Sequence, residues 1–324
     1  GKSMGIADIT STLANAPTVV KMAAGLKPRP ADTADCFAAR VEATTEKFPD
    51  YTAVIFEGKT VTWHELNAMA NRYAASFRNL GLVRGDTVSL IMENRIEYLA
   101  LIIALNKLGV TAALINTNLT GRPLTHCISI TESKACIFGE ERSQAVQDVM
   151  HEADLKGLKE YLYVPDSGVE ACPTWARDLN KEAADEDSNN PPETGETTLG
   201  ETALYIFTSG TTGLPKAAVL SNRRYLISAT MSFSGGLLCD EYDCIYLCLP
   251  LYHGTGLFLG VGASFCTGAS MFIRRKFSAS NFLDEVREHG ATCFIYIGEL
   301  CRYLLNTPKR EDDYKNPMGS MMGN

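Results

Sequence analysis

The chain has 324 residues, enough for roughly two or three domain-sized units. Hydrophobic residues make up 45% and charged residues 21%, a balance typical of a soluble globular protein with a large core. The net charge of −8 argues against a broad nucleic-acid-binding surface. Any anionic ligand must therefore be held by a few local groups.

The cysteines and the apolar segments predict a cytoplasmic protein. The ten cysteines include no C-x-x-C pair, and many lie in apolar runs, as buried thiols do in a reducing compartment. No apolar segment is long enough to cross a bilayer. Residues 4–26 predict one or two short helices, either packed on the domain or making a peripheral membrane contact. Packing is favoured because Lys2, Lys21 and Lys27 form only a weak basic face.

Strands and helices alternate through the first half of the chain. Helical spacing of apolar residues is found at 35–47, 64–80, 94–108, 123–130 and 143–153, and strands are predicted at 52–56, 60–63, 87–92, 111–115 and 135–138. Glu57-Gly58-Lys59 predicts a hairpin between the first two strands. The alternation indicates an α/β fold with a parallel sheet. The loop 116–118 follows a strand, and we interpret it as structural.

The composition changes between residues 181 and 200, where the chain is acidic and rich in Asn, Pro and Thr. This stretch predicts a surface linker. The predicted organisation is an N-terminal helical extension at 1–32, a first α/β subdomain at 33–180, the linker at 181–200 and a second α/β subdomain at 201–324. Strands are predicted in the last of these at 203–207, 217–220, 244–250, 270–273 and 292–296, with helices at 223–232 and 278–289.

The run Tyr205-Ile-Phe-Thr-Ser-Gly-Thr-Thr-Gly-Leu-Pro-Lys216 is the strongest functional signal. Glycines allow the backbone to approach a ligand, and successive N–H groups in such a loop form an anion-binding concavity. The hydroxyls can donate to phosphate oxygens, and the lysine adds a full positive charge. A flexible connection between two buried strands is the alternative, but ten ordered positions favour nucleotide phosphate binding. The predicted phosphate-binding residues are Thr208, Ser209, Gly210, Thr211, Thr212, Gly213 and Lys216.

A second candidate stretch is Leu249-Pro-Leu-Tyr-His253-Gly-Thr-Gly256. Tyr252 and His253 follow a predicted strand, where open α/β sheets bind ligands. Small residues such as Gly254 and Gly256, with the apolar stretch that continues to Cys266, leave room for an apolar chain. A purely structural, hydrogen-bonded His253 is the alternative.

The third stretch is Tyr296-Ile-Gly-Glu-Leu-Cys-Arg-Tyr-Leu-Leu305. On its residues alone it predicts a strand that ends at Gly298, followed by a helix that carries Arg302. Glu299 and Arg302 either orient a ligand or pair with each other, and both readings stay open.

The first two stretches resemble the two signatures of the adenylate-forming, or AMP-binding, superfamily, in the same order and at a similar interval. The third resembles the Y-I-G-E-[IL]-C-R-Y-L-L motif of the fatty acid transport proteins, the very-long-chain acyl-CoA synthetases. Residues 92–94, 115–119 and 124–127 are similar to the N-terminal half of that group. The resemblance covers about residues 33 to 324.

This resemblance implies the N-terminal large domain of such an enzyme, with stacked, mostly parallel sheets and helices between and outside them. It implies a fatty acid substrate, ATP, Mg²⁺ and coenzyme A, and reaction through acyl-AMP. The resemblance assigns catalytic roles to Thr208, Lys216 and His253, and it implies that Thr211 or Thr212 approaches the metal. Acyl-adenylate binding falls on the following residues: Tyr252, His253, Gly254, Gly256, Tyr296, Gly298, Glu299 and Arg302. The alternatives are another carboxylic acid or acyl acceptor, or a truncated relative that only binds ligands.

The sequence also departs from the family pattern. Ser221-Asn222 stands where many members have Ser-His, a minor difference. The sequence ends at Asn324, inside what resembles the G-N-G-L segment of the group. The family's magnesium-binding Glu, ribose-binding Asp and mobile C-terminal domain lie beyond that segment. We therefore expect this chain to be the N-terminal part of a longer protein.

Overall fold

A computed structural model of the chain describes residues 29–209, 213–276, 280–289, 291, 293–296 and 320–323. Its strands are β1 Thr52–Phe56, β2 Lys59–Thr62, β3 Thr87–Ile91, β4 Thr111–Leu114, β5 Ala135–Gly139, β6 Glu160–Val164, β7 Arg177–Asp178, β8 Thr202–Thr208, β9 Lys216–Ser221, β10 Cys244–Leu247, β11 Ser270–Ile273, β12 Cys293–Tyr296 and β13 Ser320–Gly323. Its α-helices are α1 Phe37–Lys47, α2 Trp63–Asn79, α3 Ile96–Lys107, α4 Gly121–Ile130, α5 Ser143–Gln147, α6 Leu179–Ala183, α7 Asn222–Met231, α8 Gly262–Thr267 and α9 Phe282–His289.

The strands form two sheets. One has seven strands in the order β7-β6-β5-β3-β4-β8-β9, and the other has six in the order β13-β12-β10-β11-β1-β2. All neighbouring strands are parallel except the two edge hairpins, β8–β9 and β1–β2. The predicted α/β fold with mostly parallel sheets is therefore confirmed.

Each sheet contains strands from distant parts of the chain. The hairpin β1–β2, from the first part of the sequence, extends the six-stranded sheet through the parallel pairing of Val54 with Met271. The hairpin β8–β9 extends the seven-stranded sheet, with Ala112 opposite Leu204. The predicted subdomain boundaries stay a prediction, but the sheets draw strands from both sides of residues 181–200.

Helix α3 is buried almost all round, with every residue from Tyr98 to Lys107 inaccessible to solvent. A helix that is apolar on all faces needs protein on every side. It packs against α1 and α2 and belongs to the main core, which includes residues of both sheets. This position agrees with the predicted arrangement of helices between sheets.

The predicted linker is attached to helix α2 rather than lying free on the surface. Asn71 donates to the carbonyl of Ser188 at 2.8 Å, and Asn67 donates to Asn190 at 2.8 Å. Thr194 and Thr197 are buried. An acidic, Pro-rich composition predicted a surface position, but it carries no information about these long-range hydrogen bonds.

Other elements differ in detail from the predictions. The predicted helix 143–153 is shorter, because α5 ends at Gln147 and a 3₁₀ turn follows at Ala153–Leu155. The strands β6 and β7 were not predicted. The short helices proposed within residues 4–26 lie outside the described residues.

Candidate active site

The predicted phosphate loop is the connection of the β8–β9 hairpin. Thr208 ends β8 and lies directly opposite Lys216, which begins β9. Thr208, Ser209 and Lys216 are exposed, and Gly213 has a φ of 95°, a conformation that favours glycine. Gly210, Thr211 and Thr212 lie outside the described residues, so their predicted contacts with phosphate and magnesium stay predictions.

Helix α4 supports the end of this loop. His126 lies on α4, and its Nε2 is 2.8 Å from the carbonyl oxygen of Pro215. Because a carbonyl only accepts, Nε2 must carry the proton and donate. The imidazole therefore fixes the residue that precedes Lys216. In the sequence His126 served only as part of a resemblance, and no local pattern assigned it this contact.

The second candidate stretch forms a 3₁₀ turn, Leu251–His253, just beyond β10. Tyr252 is 9% exposed, and its hydroxyl lies close to the side chain of Thr117, in the loop that follows β4. His253 is exposed, and its ring lies 4.8 Å from that of Tyr252 between centroids. Although His253 is exposed at the surface, the protein on one side of its ring partly desolvates it and lowers the pKa of His253, which favours the neutral imidazole.

The contact between Tyr252 and Thr117 brings the two candidate stretches to one edge of the molecule. Thr117 follows β4, and β4 pairs with β8, the strand that ends at Thr208. The turn Leu251–His253 also lies directly against β8. The end of β8 and the Tyr252–His253 pair thus lie where strands of both sheets have their carboxyl ends, the usual position of a ligand crevice.

The glycines after His253 have different structural roles. Gly254 has a φ of 93°, and a Cβ there would lie 2.9 Å from the Phe258 ring. Residues Gly256–Val261 form a π-helical segment that continues into α8. At Gly262 a Cβ would lie 2.8 Å from the Cβ of Ala229. Gly262 therefore serves close packing of α8 on α7, whereas the sequence suggested room for an apolar ligand.

The third stretch is described only at its start. Tyr296 ends β12, which is parallel to β10, so its backbone lies at the same edge as the turn Leu251–His253. Gly298, Glu299 and Arg302 lie outside the described residues, and their predicted roles stay predictions.

Sequence reasoning missed a polar connection between the sheets. Asn94, after β3, makes hydrogen bonds with Leu249, Leu251 and Arg274, which follow strands of the other sheet. Arg275, next along the chain, forms ion pairs with Glu57, Glu93 and Asp166 at 2.7–2.9 Å. The polar triplet Glu93-Asn94-Arg95 immediately after a fully buried strand was the available signal.

Two general properties concern the part of the chain that the structure describes. There, no three His, Cys, Asp or Glu side chains come together in a way that could hold a metal ion. No described helix combines the length and the apolar character needed to span a membrane.

A family model for AMP-binding enzymes matches residues 41–322, most of the chain. The chain belongs to the AMP-binding enzyme family. It is 37% identical over 288 residues to long-chain fatty acid transport protein 1 of Bos taurus, covering 87% of this chain and 44% of that protein. It is 32% identical over 313 residues to the medium/long-chain-fatty-acid–CoA ligase FadD6 of Mycobacterium tuberculosis, covering 96% and 50%. The chain thus spans about half the length of these relatives.

Solved structures share the fold. The anthranilate CoA ligase AuaEII, solved with anthranoyl-AMP, superposes with a TM-score of 0.79 at 18% identity, covering 89% of this chain and 54% of that one. A fatty acyl CoA synthetase of Mycobacterium tuberculosis gives 0.74 at 21% identity, covering 86% and 52%. The predicted family resemblance and the predicted fold of the N-terminal part of an adenylate-forming enzyme are confirmed.

Proposed function

We propose that this chain is the ATP- and acid-binding part of a fatty acid–CoA ligase for long or very long chains. The contact of Tyr252 with Thr117 supports this most directly. Thr117 follows β4, the strand that pairs with β8, so the contact brings the Tyr252–His253 turn to the strand edge where the β8–β9 connection begins. The names of the relatives, which include fatty acid transport proteins and a fatty-acid–CoA ligase, supply the proposed substrate class.

The reaction proceeds in two steps. The fatty acid carboxylate attacks the α-phosphorus of ATP, which forms acyl-AMP and releases pyrophosphate. The thiol of coenzyme A then attacks the acyl carbonyl, which forms the thioester and releases AMP. The first step requires neutralisation of phosphate charge and in-line placement of the carboxylate more than covalent help from the protein.

The residues of the hairpin serve the first requirement. Lys216 and the hydroxyl of Thr208 stand side by side, because residues paired across an antiparallel ladder place their side chains on the same face. We assign them, with the backbone N–H groups of the loop, to the β- and γ-phosphates. Exposure of Lys216 leaves its ammonium group available to an incoming nucleotide.

The residues of the turn serve the second requirement. Tyr252 lies beside Thr117, and the neighbouring His253 is exposed. We assign this pair to the border between the adenylate and the acyl chain. A neutral imidazole at His253 does not form an ion pair with the fatty acid carboxylate, which stays free to attack the α-phosphorus.

A panel of carboxylic acids tests the proposed substrate class. The full-length gene product is incubated with ATP and coenzyme A and with palmitate, a C24 acid, benzoate or anthranilate, and the thioesters are quantified by mass spectrometry. We expect palmitoyl-CoA or the C24 thioester to form at least 100-fold faster than the aryl thioesters. Preferential formation of an aryl thioester, or of acyl-AMP without thioester, contradicts the proposal and favours an aryl-CoA ligase or an acyl-AMP ligase.

A further inference from the structure

Asn94 connects the two sheets at the candidate active site. Its side chain is 5% exposed. The amide nitrogen Nδ2 donates to the carbonyls of Leu249, at 2.8 Å, and Arg274, at 3.2 Å. The amide oxygen Oδ1 accepts from the backbone N–H of Leu251, at 2.9 Å. One side chain of the seven-stranded sheet thus holds three backbone groups of the other sheet.

The backbone held by Asn94 lies just beyond β10. Leu249 and Leu251 follow the end of that strand, and no strand pairing among the described residues includes them. Between them stands Pro250, which has no N–H to donate. Because both leucines are buried, their polar backbone groups need partners within the protein. Asn94 supplies these partners at the two positions that lead into Tyr252.

Asn94 is itself fixed from both sides along the chain. Glu93 forms an ion pair with Arg275 of the six-stranded sheet at 2.7 Å. Arg95 is 1% exposed and donates to the carbonyl of Pro165 at 2.9 Å and to the carboxylate of Glu141 at 3.0 Å. These contacts fix the backbone on both sides of Asn94, so its amide is presented to the turn from an anchored position.

We propose that Asn94 is a positioning residue for the reaction, which fixes the Tyr252–His253 turn relative to the phosphate loop. The inference rests on the proposed function, because it assigns Asn94 an effect on a step in which His253 takes part. Asn94 touches neither substrate; it acts through the backbone of Leu249 and Leu251. A displacement of about 1 Å at a reacting group can cost on the order of 100-fold in rate.

The variants Asn94→Ala and Asn94→Asp test this role. The alanine removes all three hydrogen bonds. The aspartate keeps an acceptor for the Leu251 N–H but places a carboxylate oxygen against the carbonyls of Leu249 and Arg274, which also only accept. We expect both variants to lower kcat for palmitate-dependent ATP–pyrophosphate exchange by roughly 30- to 100-fold.

Ser89→Ala is the matched control. Ser89 lies on β3, the strand that precedes Asn94, and its buried hydroxyl is 2.6 Å from that of Ser133, in the turn that leads into β5. The substitution loses this buried hydrogen bond, which lies on the side of the seven-stranded sheet and does not involve the Tyr252–His253 turn. We expect a similar fall in thermal stability with exchange activity within about two-fold of the unchanged protein.

Two readouts separate positioning from general destabilisation. First, His253→Ala in the Asn94→Ala background should add little further loss, because both changes act through one turn. Second, hydrogen–deuterium exchange of a peptide covering residues 248–254 should accelerate at least ten-fold in Asn94→Ala and stay unchanged in Ser89→Ala. Each of three results would overturn the inference. They are unchanged ATP–pyrophosphate exchange in Asn94→Ala, losses of activity that multiply in the double variant, and unaltered deuterium uptake by residues 248–254.

The deuterium measurement does not depend on turnover. If the unchanged protein shows no palmitate-dependent ATP–pyrophosphate exchange, the proposed function fails. Accelerated deuterium uptake in Asn94→Ala would still establish that Asn94 fixes the turn. Unaltered uptake in the same circumstance removes both.

Discussion

Thr208 and Lys216 are the last pair of the β8–β9 ladder, directly opposite each other where the hairpin opens into its glycine- and threonine-rich connection. This pairing fixes the backbone of Lys216 at the edge of the loop, although the side chain of Lys216 is exposed. A charged group on a strand is more precisely placed than one on the loop itself. The hairpin therefore presents one cation and one hydroxyl at the mouth of a predicted phosphate site.

Replacement of Lys216 should affect chemistry but not folding. We expect Lys216→Ala to slow ATP–pyrophosphate exchange by roughly 100-fold, because one preorganised charge that faces the phosphates is lost. The melting temperature should stay within about 2 °C, since exposed substitutions usually change stability by less than about 0.5 kcal/mol. Lys59→Ala, at the exposed start of β2 in the other hairpin, is the control and should leave exchange unchanged.

Loss of the His126 hydrogen bond should loosen the end of the phosphate loop. His126→Leu removes the donor to the Pro215 carbonyl and should raise the KM for ATP roughly five-fold, equivalent to about 1 kcal/mol. His126→Gln places an amide nitrogen near the position of Nε2 and should restore most of the affinity. Equal KM values for the leucine variant and the unchanged protein would show that Pro215 needs no anchor.

The carboxylate of Glu140 should give the protein an acid-sensitive element. It accepts hydrogen bonds at 2.8–3.0 Å from the backbone of Asp166, Gly168 and Glu170 and from the Ser167 hydroxyl. Burial by itself raises the pKa of Glu140, but these donors outweigh it and lower the pKa to about 2, from an ordinary value of 4.5. Its stabilising contribution is complete above pH 4.5 and is lost as the pH falls toward 2.

Glu140→Gln should therefore lower the free energy of unfolding at pH 7 by about 2 kcal/mol, because the NH₂ group of the glutamine must face a backbone N–H, which is also a donor. Urea unfolding at a series of pH values measures the difference, which should shrink below pH 4.5. Glu182→Gln, which breaks an exposed ion pair with Arg177, should cost less than about 1 kcal/mol at every pH. A pH-independent difference for Glu140→Gln would contradict the assignment.

Lys107 is fully buried at the end of α3 and joins three helices to the acidic stretch 181–200. Its three N–H donors are shared among four acceptors, the carboxylate of Glu42 at 2.9 Å and the amide oxygens of Asn67, Asn71 and Asn190 at 2.6–3.1 Å. Burial lowers the pKa of Lys107, and the carboxylate of Glu42 partly opposes this.

Lys107→Met should destabilise the protein by roughly 3 kcal/mol, because removal of one partner leaves a carboxylate and buried amides unpaired. The double variant Lys107→Met/Glu42→Gln should recover part of this loss, since no charge is then left without its partner. Chemical unfolding of the two variants decides the matter. A double variant no more stable than Lys107→Met would show that the asparagines, rather than Glu42, determine the cost.

Much of the local structure could be predicted from the sequence. The turn Glu57-Gly58-Lys59 correctly predicted the hairpin β1–β2, in which Glu57 and Gly58 both have positive φ. Helical periodicity at 64–80 matched α2, which begins with a capping box between Thr62 and Glu65. These features depend on neighbouring residues, and so the local pattern contains the information.

The pairing of distant strands could not be predicted in the same way. Strand β1 lies beside β11, which is more than 200 residues later in the chain. Buried apolar strands have similar sequences, so the sequence of one strand does not indicate which other strand pairs with it. The contacts of Asn94 depend on how the two sheets lie against each other, which is also a long-range relationship, and they were therefore missed as well. At the candidate site, Tyr252 and the stretch 205–216 were singled out by their motifs. The antiparallel pairing of β8 with β9 and the positions of Thr117 and His126 appeared only in three dimensions.

The most direct test is palmitate-dependent ATP–pyrophosphate exchange by the full-length gene product, with butyrate measured in parallel. This reaction needs adenylation alone and no acyl acceptor, so it isolates the step assigned to Lys216 and His253. We predict rapid exchange with palmitate and at least ten-fold slower exchange with butyrate. ATP binding without exchange in the presence of either acid would contradict the proposal that this chain activates fatty acids.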